Sequence, residues 1–464
     1  MNTISLPPLE TKKGPKYKVV ADTIRSSIES GTLTEGTKLP PVRDLAYQLS
    51  ITPGTVARAY TILTDEGLLM AEVGRGTFVA PPKTLLQDDV WSRQTEPPET
   101  DAVSLFSPRL ADVGQVAAIR SALRQVAEMP PERLLSYPTR DGYAPARQAV
   151  VDWLADMPLG TFTERDVVLT HGGQNGICVC LNAILTGPRP VLLVEDLSYA
   201  GFRRAAELMR ADVVGVAMDE HGVRPEALDQ AARQSGAQVF CTSPEVQNPT
   251  GGHTPLARRE ELIAVAQKHG LQIIEDDCYR MGEAREPSYR ALYPRHTWHV
   301  SSISKTLTPS LRVGFAIAPK GRAADLRRAA EYGFFGMAQP LAELTRILLS
   351  DPRTRELSVR VRETMSEYVR VAVNALGGFD LVWDPDVPFV WLRLPSGWRA
   401  AAFCREAEAV GVQIRSADEF ALRDGRAPHA VRIAMNAHVA LSSFEEAMLR
   451  LRRLLDNPPE QISV

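Results

Sequence analysis

The sequence predicts two parts, a small α+β domain followed by a large α/β domain. Residues 1–80 contain three short segments with apolar positions at helical spacing, followed by two short β-type runs. From residue 103 onward, seven apolar β-type runs alternate with helix-like segments, which predicts a mainly parallel seven-stranded sheet. The length of 464 residues agrees with more than one domain.

Composition sets the broad class of protein. Hydrophobic residues make up 44% and charged residues 23%, as in a soluble globular chain, and the net charge of −3 gives no overall basic bias toward nucleic acid. The five cysteines are odd in number and scattered, so we expect reduced thiols, a cytoplasmic location and no zinc site. No apolar run approaches the roughly 20 residues of a membrane helix, and no signal peptide is indicated.

The N-terminal segments predict a winged helix-turn-helix. Helices are expected over Tyr17–Glu29, from Leu39 onward and from Pro53 to about Glu66, with glycines at the helix ends. The runs Leu68–Met70 and Thr77–Val79 form a hairpin around a Gly-rich tip. On periodicity alone, a small helical interaction domain is the alternative.

The residue pattern is more specific than the periodicity. It reads Y…I…I-x-x-G-x-L…G-x-x-L-P-x-x-R-x-L-A…T-V-x-x-A-Y-x-x-L…G…G-x-G-T-F-V from Tyr17 to Val79. This resembles the DNA-binding domain of the GntR family of bacterial regulators. The resemblance implies that the third helix enters the major groove by its N-terminal end. The DNA contacts that it implies are Arg43, Thr52, Thr55, Arg58, Arg75 and Thr77.

Two of these contacts have alternatives. Arg43 could instead form an ion pair within the domain, and Arg58 could lie on a solvated helix face. Acidic residues such as Asp44 and Asp65 nearly balance the basic ones in this domain. We therefore expect DNA binding to depend on a few placed cations and on dimerisation.

A polar, proline-containing linker over residues 81–104 is expected to join the two parts. The second domain then spans residues 105–464, with a large part to about residue 335 and a small C-terminal α+β part from about residue 336. The predicted strands of its sheet are Val167–Leu169, Val191–Val194, Val213–Val216, Gln238–Thr242, Leu271–Glu275, Trp298–Ile303 and Val313–Ala318.

Polar motifs follow several of these runs. Ser302, Ser304, Lys305 and Arg312 surround the end of the sixth run, where a lysine of lowered pKa could form a Schiff base and the arginine could bind a phosphate. A surface lysine and arginine after a strand are the alternative. Because ligands bind at the carboxyl ends of parallel strands, motifs that follow different strands are expected to meet.

The remaining motifs each have a simpler explanation as well. Gly172-Gly173-Gln174 precedes a helix, whose N-terminus favours a phosphate, although a plain turn is the alternative. Tyr199 could be a core tyrosine, and Asn248-Pro249-Thr250-Gly251 could be a turn. A carboxylate at the end of the fifth run could be Asp276 or, after a slip of one residue, Asp277, since strand alternation lets only one of them face the site.

The Lys305 segment fills every fixed position of S-x-S-K-x-x-x-P-x-x-R-x-G, and the large domain resembles fold-type I, pyridoxal 5′-phosphate (PLP) aminotransferases. The resemblance implies that Lys305 holds PLP as a Schiff base and that Asp276 faces the pyridine nitrogen. It also implies that Tyr137 reaches the cofactor of a partner subunit, which requires a homodimer. The cofactor-binding residues implied are Gly173, Gln174, Tyr199, Asn248, Asp276, Tyr279, Ser302, Ser304, Arg312 and Tyr137.

A substrate-like ligand is also implied. By resemblance, Arg432 binds a ligand carboxylate by a bidentate fork. The sequence departs from the family where its usual P-G-x-x-F is replaced by residues 416–420, Ser-Ala-Asp-Glu-Phe. This departure lies at the expected pocket edge and leaves the identity of the ligand open.

Both resemblances together match the MocR/GabR type of transcription regulator, a GntR domain followed by an aminotransferase-like domain. The implied function is a PLP-dependent regulator of double-stranded operator DNA that senses a small amino compound by external aldimine formation. An aminotransferase with an accessory DNA-binding domain is the alternative. A third possibility is a repressor whose large domain serves only for dimerisation.

Overall fold

The computed structural model describes residues 15–34, 36–65, 68–72, 76–80, 102–422, 425 and 427–458. The chain divides into two compact units, Met1–Pro97 and Pro98–Val464. Arg75 and most of the predicted linker, residues 81–101, lie outside the described residues. Within the described residues, no helix has the length and apolar character needed to cross a bilayer.

The first unit has the predicted three helices and hairpin. Its elements are α1 (Lys16–Glu29), α2 (Val42–Gln48), α3 (Pro53–Asp65), β1 (Leu69–Glu72) and β2 (Gly76–Val79). The two strands pair antiparallel with Leu69 opposite Val79. The apolar positions of all three helices meet in one core, which buries Val20, Ile24, Leu45, Val56 and Leu63 completely. The winged helix-turn-helix prediction is confirmed.

The second unit alternates strands and helices, as predicted. Its strands are β3 (Val103–Ser104), β4 (Val167–Thr170), β5 (Val191–Glu195), β6 (Asp212–Val216), β7 (Met218–Asp219), β8 (Gly222–Val223), β9 (Val239–Thr242), β10 (Gln272–Asp276), β11 (Thr297–Ser302), β12 (Gly314–Ile317), β13 (Leu381–Val382), β14 (Phe389–Arg393), β15 (Val412–Gln413), β16 (Arg415–Ser416) and β17 (Ala430–Ala434). Its helices are α4 (Gln115–Ala127), α5 (Pro131–Leu135), α6 (Ala144–Trp153), α7 (Gly172–Ile184), α8 (Ala200–Leu208), α9 (Pro225–Ser235), α10 (Leu256–His269), α11 (Tyr289–Leu292), α12 (Ala323–Phe334), α13 (Gln339–Ser350), α14 (Pro352–Leu376), α15 (Ala400–Ala409) and α16 (Leu441–Asp456).

The large sheet contains all seven predicted strands, in the order β4-β12-β11-β10-β9-β5-β6. The neighbours from β11 to β6 are parallel, whereas β12 is antiparallel to both β11 and β4. The connection from β11 to β12 has no crossover helix, and only an antiparallel pair can be joined in this way. This connection carries Lys305 to the carboxyl end of β11.

Helices cover both faces of this sheet, so its inner strands β9, β11 and β12 are fully buried, whereas the edge strand β6 is only partly buried. Alternation along β10 illustrates the division, because Ile274 packs with α7 and α12 while Ile273 packs with α9 and α10. Whether a residue has an even or an odd number, which we call its parity, therefore decides which face of β10 its side chain lies on.

The C-terminal part is built on a second sheet of order β13-β14-β17-β16, packed against α14, α15 and α16. The short strand β3 pairs parallel with β15, with Val103 opposite Val412. The first segment of the second unit is thus part of the C-terminal subdomain, although it is distant from it in sequence.

Candidate functional site

Five strand ends bring the candidate residues to one edge of the large sheet. Asp276 ends β10, and Lys305 follows β11. Gly173, Tyr199 and Asn248 follow β4, β5 and β9, respectively. The parallel strands direct these residues to the carboxyl edge, where α/β proteins bind ligands.

Lys305 is half-buried between two elements of the site. Its Nζ lies 3.5 Å from the Ser107 Oγ and 5.1 Å from the centroid of the Tyr279 ring. Burial opposes ionisation of Tyr279, but the positive charges of Lys305, Arg432 and Arg415 outweigh it and lower the pKa of Tyr279. The Lys305 amine is therefore close enough to favour ionisation of the Tyr279 phenol.

The two adjacent aspartates face opposite sides of the sheet. Asp277 Oδ2 forms an ion pair with Arg280 Nε at 2.9 Å, and His299 Nε2 lies 4.0 Å away. Asp276 has the parity of Ile274, on the face that α7 covers, and it accepts a hydrogen bond from the backbone N–H of Cys278 at 3.2 Å. Burial raises the pKa of Asp276 to about 6. A cationic ring nitrogen would stabilise its ionised form.

The N-terminus of α7 is built for close approach by a ligand. The helix begins at Gly172, whose φ is +80°, and no side chain caps it. A Cβ on Gly172 would lie 2.4 Å from the Arg312 Nη2, and one on Gly173 would lie 2.3 Å from the Cys278 Sγ. Arg312 and free backbone N–H groups thus meet at one point, which suits a phosphate dianion.

Four more of the predicted cofactor-binding residues are buried or half-buried, namely Ser302, Ser304, Gln174 and Tyr199. Ser302 and Ser304 are both buried, and the backbone N–H of Ser304 donates to the Ser302 Oγ at 3.4 Å. Gln174 Nε2 donates to the Gly201 carbonyl at 2.9 Å. Burial, followed by the negative charge of Asp276, raises the pKa of Tyr199. Tyr199 therefore stays neutral beside Asp276.

Arg432 is buried at the border between the two sheets. Its Nη1 donates to the Asn248 Oδ1 at 2.6 Å and its Nη2 to the Phe106 carbonyl at 2.8 Å. Its guanidinium carbon lies 4.8 Å from the ring centroid of Phe420 and 5.2 Å from that of Phe389. Burial lowers the pKa of Arg432. No ion pair of Arg432 occurs within the described part of the chain, so a ligand carboxylate would supply a direct counter-charge to this buried cation.

Sequence reasoning missed three contributors. Arg415 is the cross-strand partner of Arg432, and its Nε donates to the same Phe106 carbonyl at 2.7 Å. Ser107 contacts Lys305 although it is far from it in the sequence. Arg415 directly precedes the segment that departs from the family pattern, which is a signal that could have identified it. A backbone carbonyl such as that of Phe106 has no signal in the sequence.

Tyr137 is 88% exposed. The large apolar side chains of Leu135, Tyr332 and Phe335 are also exposed. An ion pair of Arg140 Nε with Glu331 Oε1 at 3.2 Å ties the Tyr137 loop to α12. Between them lies a cavity of about 610 Å³, lined in part by Arg140, Tyr332 and Phe335.

In the first unit, the predicted DNA contacts lie at the start of α2, the start of α3 and β2. Arg43, Thr52 and Arg58 are exposed, and the hydroxyls of Thr52 and Thr55 are 2.9 Å apart. The Arg58 guanidinium stacks on the Tyr17 ring at 4.1 Å from its centroid. Thr77 is half-buried in β2. Stacking on Tyr17 restrains Arg58 at the helix surface, a contact that the sequence did not suggest.

The donor set fits PLP. A helix N-terminus with Arg312 accommodates a phosphate, Asp276 a pyridinium, and Lys305 an aldehyde carbon. Gly172 and Gly173 let the Arg312 guanidinium and the Cys278 sulfur lie against the first turn of α7, where a Cβ would clash with them. No cluster of His, Cys, Asp and Glu suited to a metal ion occurs in the described parts of the chain.

Comparisons with known proteins agree with both halves of the chain. The family model for aminotransferase class I and II matches residues 109–451, and the model for bacterial regulatory proteins of the gntR family matches residues 16–79. The HTH-type transcriptional regulator YdeF of Bacillus subtilis, described as uncharacterized, is 27% identical over 97% of this chain and 96% of its own length. The pyridoxine biosynthesis regulator PdxR of Corynebacterium glutamicum is 28% identical over 86% of this chain and 85% of its own length.

Solved structures show the same large domain. LysN, an α-aminoadipate aminotransferase of Thermus thermophilus solved with N-(5′-phosphopyridoxyl)-L-leucine, is 26% identical, with a TM-score of 0.66 over 77% of this chain and 92% of that chain. These matches cover the PLP-binding domain, whereas the matches to HTH-type regulators extend over the DNA-binding domain as well. The chain therefore belongs to the aminotransferase class I and II family, in the GntR-fused form found in MocR-type transcription regulators.

Proposed function

We propose that this protein is a PLP-dependent, DNA-binding transcription regulator of the cytoplasm whose affinity for operator DNA responds to a small amino compound. The amine of the compound would take the place of the Lys305 amine on the cofactor aldehyde, and its carboxylate would bind Arg432. Bound PLP supplies an aldehyde carbon that can exchange one amine for another.

One observation carries the proposal. Lys305 and Arg432 both contact residues 106–107, immediately after the point where the linker enters the second unit. Arg415 holds the same segment through the Phe106 carbonyl. Exchange of Lys305 for the ligand amine would change the contact between Lys305 and Ser107, and a ligand carboxylate would compete with the Phe106 carbonyl for the Arg432 donors.

Strand β3 connects this segment to the linker. Backbone N–H groups of Val103 and Leu105 donate to the carbonyls of Gly411 and Gln413 at 2.9 and 2.7 Å. The chain from residue 81 to residue 101 continues from β3 to the DNA-binding unit. Ligand occupancy can therefore alter DNA affinity, provided that the ligand binds the two arrangements of the segment with different affinity.

The proposed assembly is a homodimer. Four large apolar side chains are at least 80% exposed, as is typical of an interaction surface, and they are Leu135, Tyr137, Tyr332 and Phe335. In this assembly Tyr137 would reach the cofactor phosphate of the partner subunit. Two DNA-binding units would then read two half-sites about 34–36 Å apart or a multiple of that distance.

An aminotransferase with an accessory DNA-binding domain is the second candidate. It is favoured by the number of residues that an amino-group transfer needs and that lie together here, namely Lys305, Asp276, Tyr279 and Arg432. Multiple turnovers that release a keto acid would favour this enzyme, whereas a ligand-dependent change in DNA affinity without turnover would favour the regulator.

Lys305→Ala tests the proposal. We expect this variant to fold and to bind DNA, but to lose covalently held PLP and every response of DNA affinity to amines. The DNA is a duplex that wild-type protein selects from a random-sequence library, and the amines are a panel of amino acids and simple amines. Lys320→Ala, at an exposed lysine of the same unit, is the matched control and should respond as wild type does. An amine response preserved in Lys305→Ala would contradict the proposal.

A further inference from the structure

Glu195 is a buried carboxyl group at the functional edge of the sheet, and none of the roles described above involves it. It ends β5 and is 1% exposed. Its Oε1 accepts hydrogen bonds from the Thr242 Oγ1 at 2.6 Å and the Ser243 backbone N–H at 3.4 Å. Its Oε2 accepts one from the Gln247 Nε2 at 3.0 Å. Burying a carboxyl group costs free energy unless hydrogen bonds compensate for the lost water. The position of Glu195 therefore calls for a structural or functional explanation.

Gln247, which binds Glu195, also holds the turn formed by residues 247–252. Its Nε2 also donates to the Leu197 carbonyl at 2.6 Å, and its Oε1 accepts from the Thr250 N–H at 2.9 Å and the Thr250 Oγ1 at 2.7 Å. Its backbone closes the turn with Gly251 and Gly252 at 2.7 and 2.8 Å. Both the Nε2 and the Oε1 of Gln247 thus form hydrogen bonds that hold the turn in place.

Asn248 is carried by this turn. It is 2% exposed, and its Oδ1 accepts the hydrogen bond from the Arg432 Nη1. An acceptor bond to Arg432 leaves the Asn248 amide N–H groups available to a ring oxygen. A continuous connection therefore runs from Glu195 through Gln247 and Asn248 to Arg432.

We propose that Glu195 is a positioning residue of the cofactor site, which anchors Gln247 and thereby fixes the orientation of Asn248 toward the cofactor ring and Arg432. The inference rests on the proposed function, and on Asn248 as one of the residues expected to bind the PLP ring. The groups that face Glu195 are Thr242, Ser243 and Gln247, with Asp276 as its charged neighbour. No ion pair of Glu195 is found among the described residues, so its hydrogen bonds account for its placement.

Glu245 is a matched control in the same loop. It is 5% exposed, but it forms an ion pair with the Arg259 Nη2 at 2.8 Å and accepts from the Arg285 backbone N–H at 2.6 Å. These partners tie the loop to α10 rather than to Asn248. Damage to Glu245 should therefore affect stability without affecting the orientation of Asn248.

The experiment compares Glu195→Ala, Glu195→Gln and Glu245→Gln in the full-length protein loaded with PLP. PLP affinity and the pH at which the visible cofactor band titrates are measured by absorption. We expect Glu195→Ala to bind PLP about tenfold more weakly, with a shifted titration of the band. Hydrogen exchange in residues 244–252, measured with and without PLP, should rise in Glu195→Ala.

Glu195→Gln should bind PLP within about threefold of wild type, because its carbonyl can accept from Gln247 while its amide donates to the Thr242 hydroxyl. Glu245→Gln should keep the wild-type affinity and band. If Glu195→Ala does not fold, Gln247→Met breaks the same connection with Glu195 intact and should show the same loss.

Three results would overturn the inference: wild-type affinity and band in Glu195→Ala or Gln247→Met, no rescue by Glu195→Gln, or an equal loss in Glu245→Gln. Asn248→Ala separates this failure from failure of the proposed site. If Asn248→Ala alters the band and Glu195→Ala does not, the positioning role is wrong. If neither alters it, the role of Asn248 in the proposed cofactor site is wrong as well.

Discussion

At the scale of single residues, two buried carboxyl groups determine much of the electrostatics of the site. Burial raises the pKa of Asp276 to about 6 and that of Glu195 to about 7. Each accepts hydrogen bonds, and neither forms an ion pair with the residues that the structure describes. Asp277, one residue away, has Arg280 as its partner. The residue that lacks a cation is the one that a cationic cofactor ring would stabilise.

Glu195 gives the protein a pH-dependent stability of unusual sign. Its pKa is about 7 in the folded chain against an ordinary 4.5, so folding takes up a proton between these values. The stability that this proton contributes is present below about pH 4.5 and is lost as the pH rises toward 7. Between about pH 5 and 8, we expect the free energy of unfolding of the wild type to fall by roughly 2–3 kcal/mol more than that of Glu195→Gln. Urea denaturation of both proteins at the two pH values measures this, and parallel losses would contradict it.

Residue identity explains which parts of the site were predictable. Lys305, Asn248 and Arg312 are side chains whose chemistry and spacing stand out in the sequence. The Phe106 carbonyl is a backbone group, and its two arginine partners are more than 300 residues away. Such a contact depends on the tertiary fold, and no local pattern records it. The parity of Asp276, by contrast, follows from the apolar alternation along β10.

At the scale of elements, the first turn of α7 depends on the absence of side chains. A Cβ on Gly173 would lie 2.3 Å from the Cys278 Sγ but 3.7 Å from the Cys278 Cβ. The clash therefore concerns the sulfur atom alone. If this helix end binds the phosphate, a shift of α7 away from Cys278 also moves the N–H groups that bind it.

Gly173→Ala should therefore weaken PLP binding by about tenfold or more, and Gly173→Ala/Cys278→Ala should recover most of the loss. Gly333→Ala is the control, since nothing lies within 4 Å of its Cβ in α12. PLP titration followed by absorption measures all three. Equal weakening in the single and the double variant would show that the sulfur contact is not the cause.

The helices and strands were largely predictable, because most are long enough to show the hydrophobic periodicity of their type. Apolar runs predicted all seven strands of the large sheet, and glycines and prolines predicted the ends of the N-terminal helices. Strand β3 was not predictable, because it has two residues and pairs with β15 about 300 residues later. Its pairing depends on the assembled C-terminal subdomain.

At the scale of the whole molecule, a regulator needs a ligand site whose occupancy alters something outside that site. The segment after the linker meets this need, because the cations at its Phe106 and Ser107 are the groups that a ligand would engage. The coupling is reciprocal, so DNA that favours one arrangement of the segment must change ligand affinity by the same factor.

The proposal that each cofactor site is shared between the two subunits of a dimer leads to a last prediction. If Tyr137 completes the site of the partner subunit, Tyr137→Ala and Lys305→Ala damage one site from opposite sides of the interface. A heterodimer of the two variants then holds one site with both residues intact and one with neither. We expect co-expressed, doubly tagged heterodimers to bind one covalent PLP per dimer with wild-type affinity.

The homodimers provide the controls for this experiment. Lys305→Ala should hold no covalent PLP, and Tyr137→Ala should hold it on both subunits with about tenfold weaker affinity, since one phosphate contact is lost. Absorption and borohydride reduction count the covalent sites in each preparation. If the covalent site of the heterodimer were as weak as those of the Tyr137→Ala homodimer, Tyr137 would act within its own subunit. Its 88% exposure in the single chain favours the shared arrangement, because an exposed tyrosine gains contacts when a second subunit covers it.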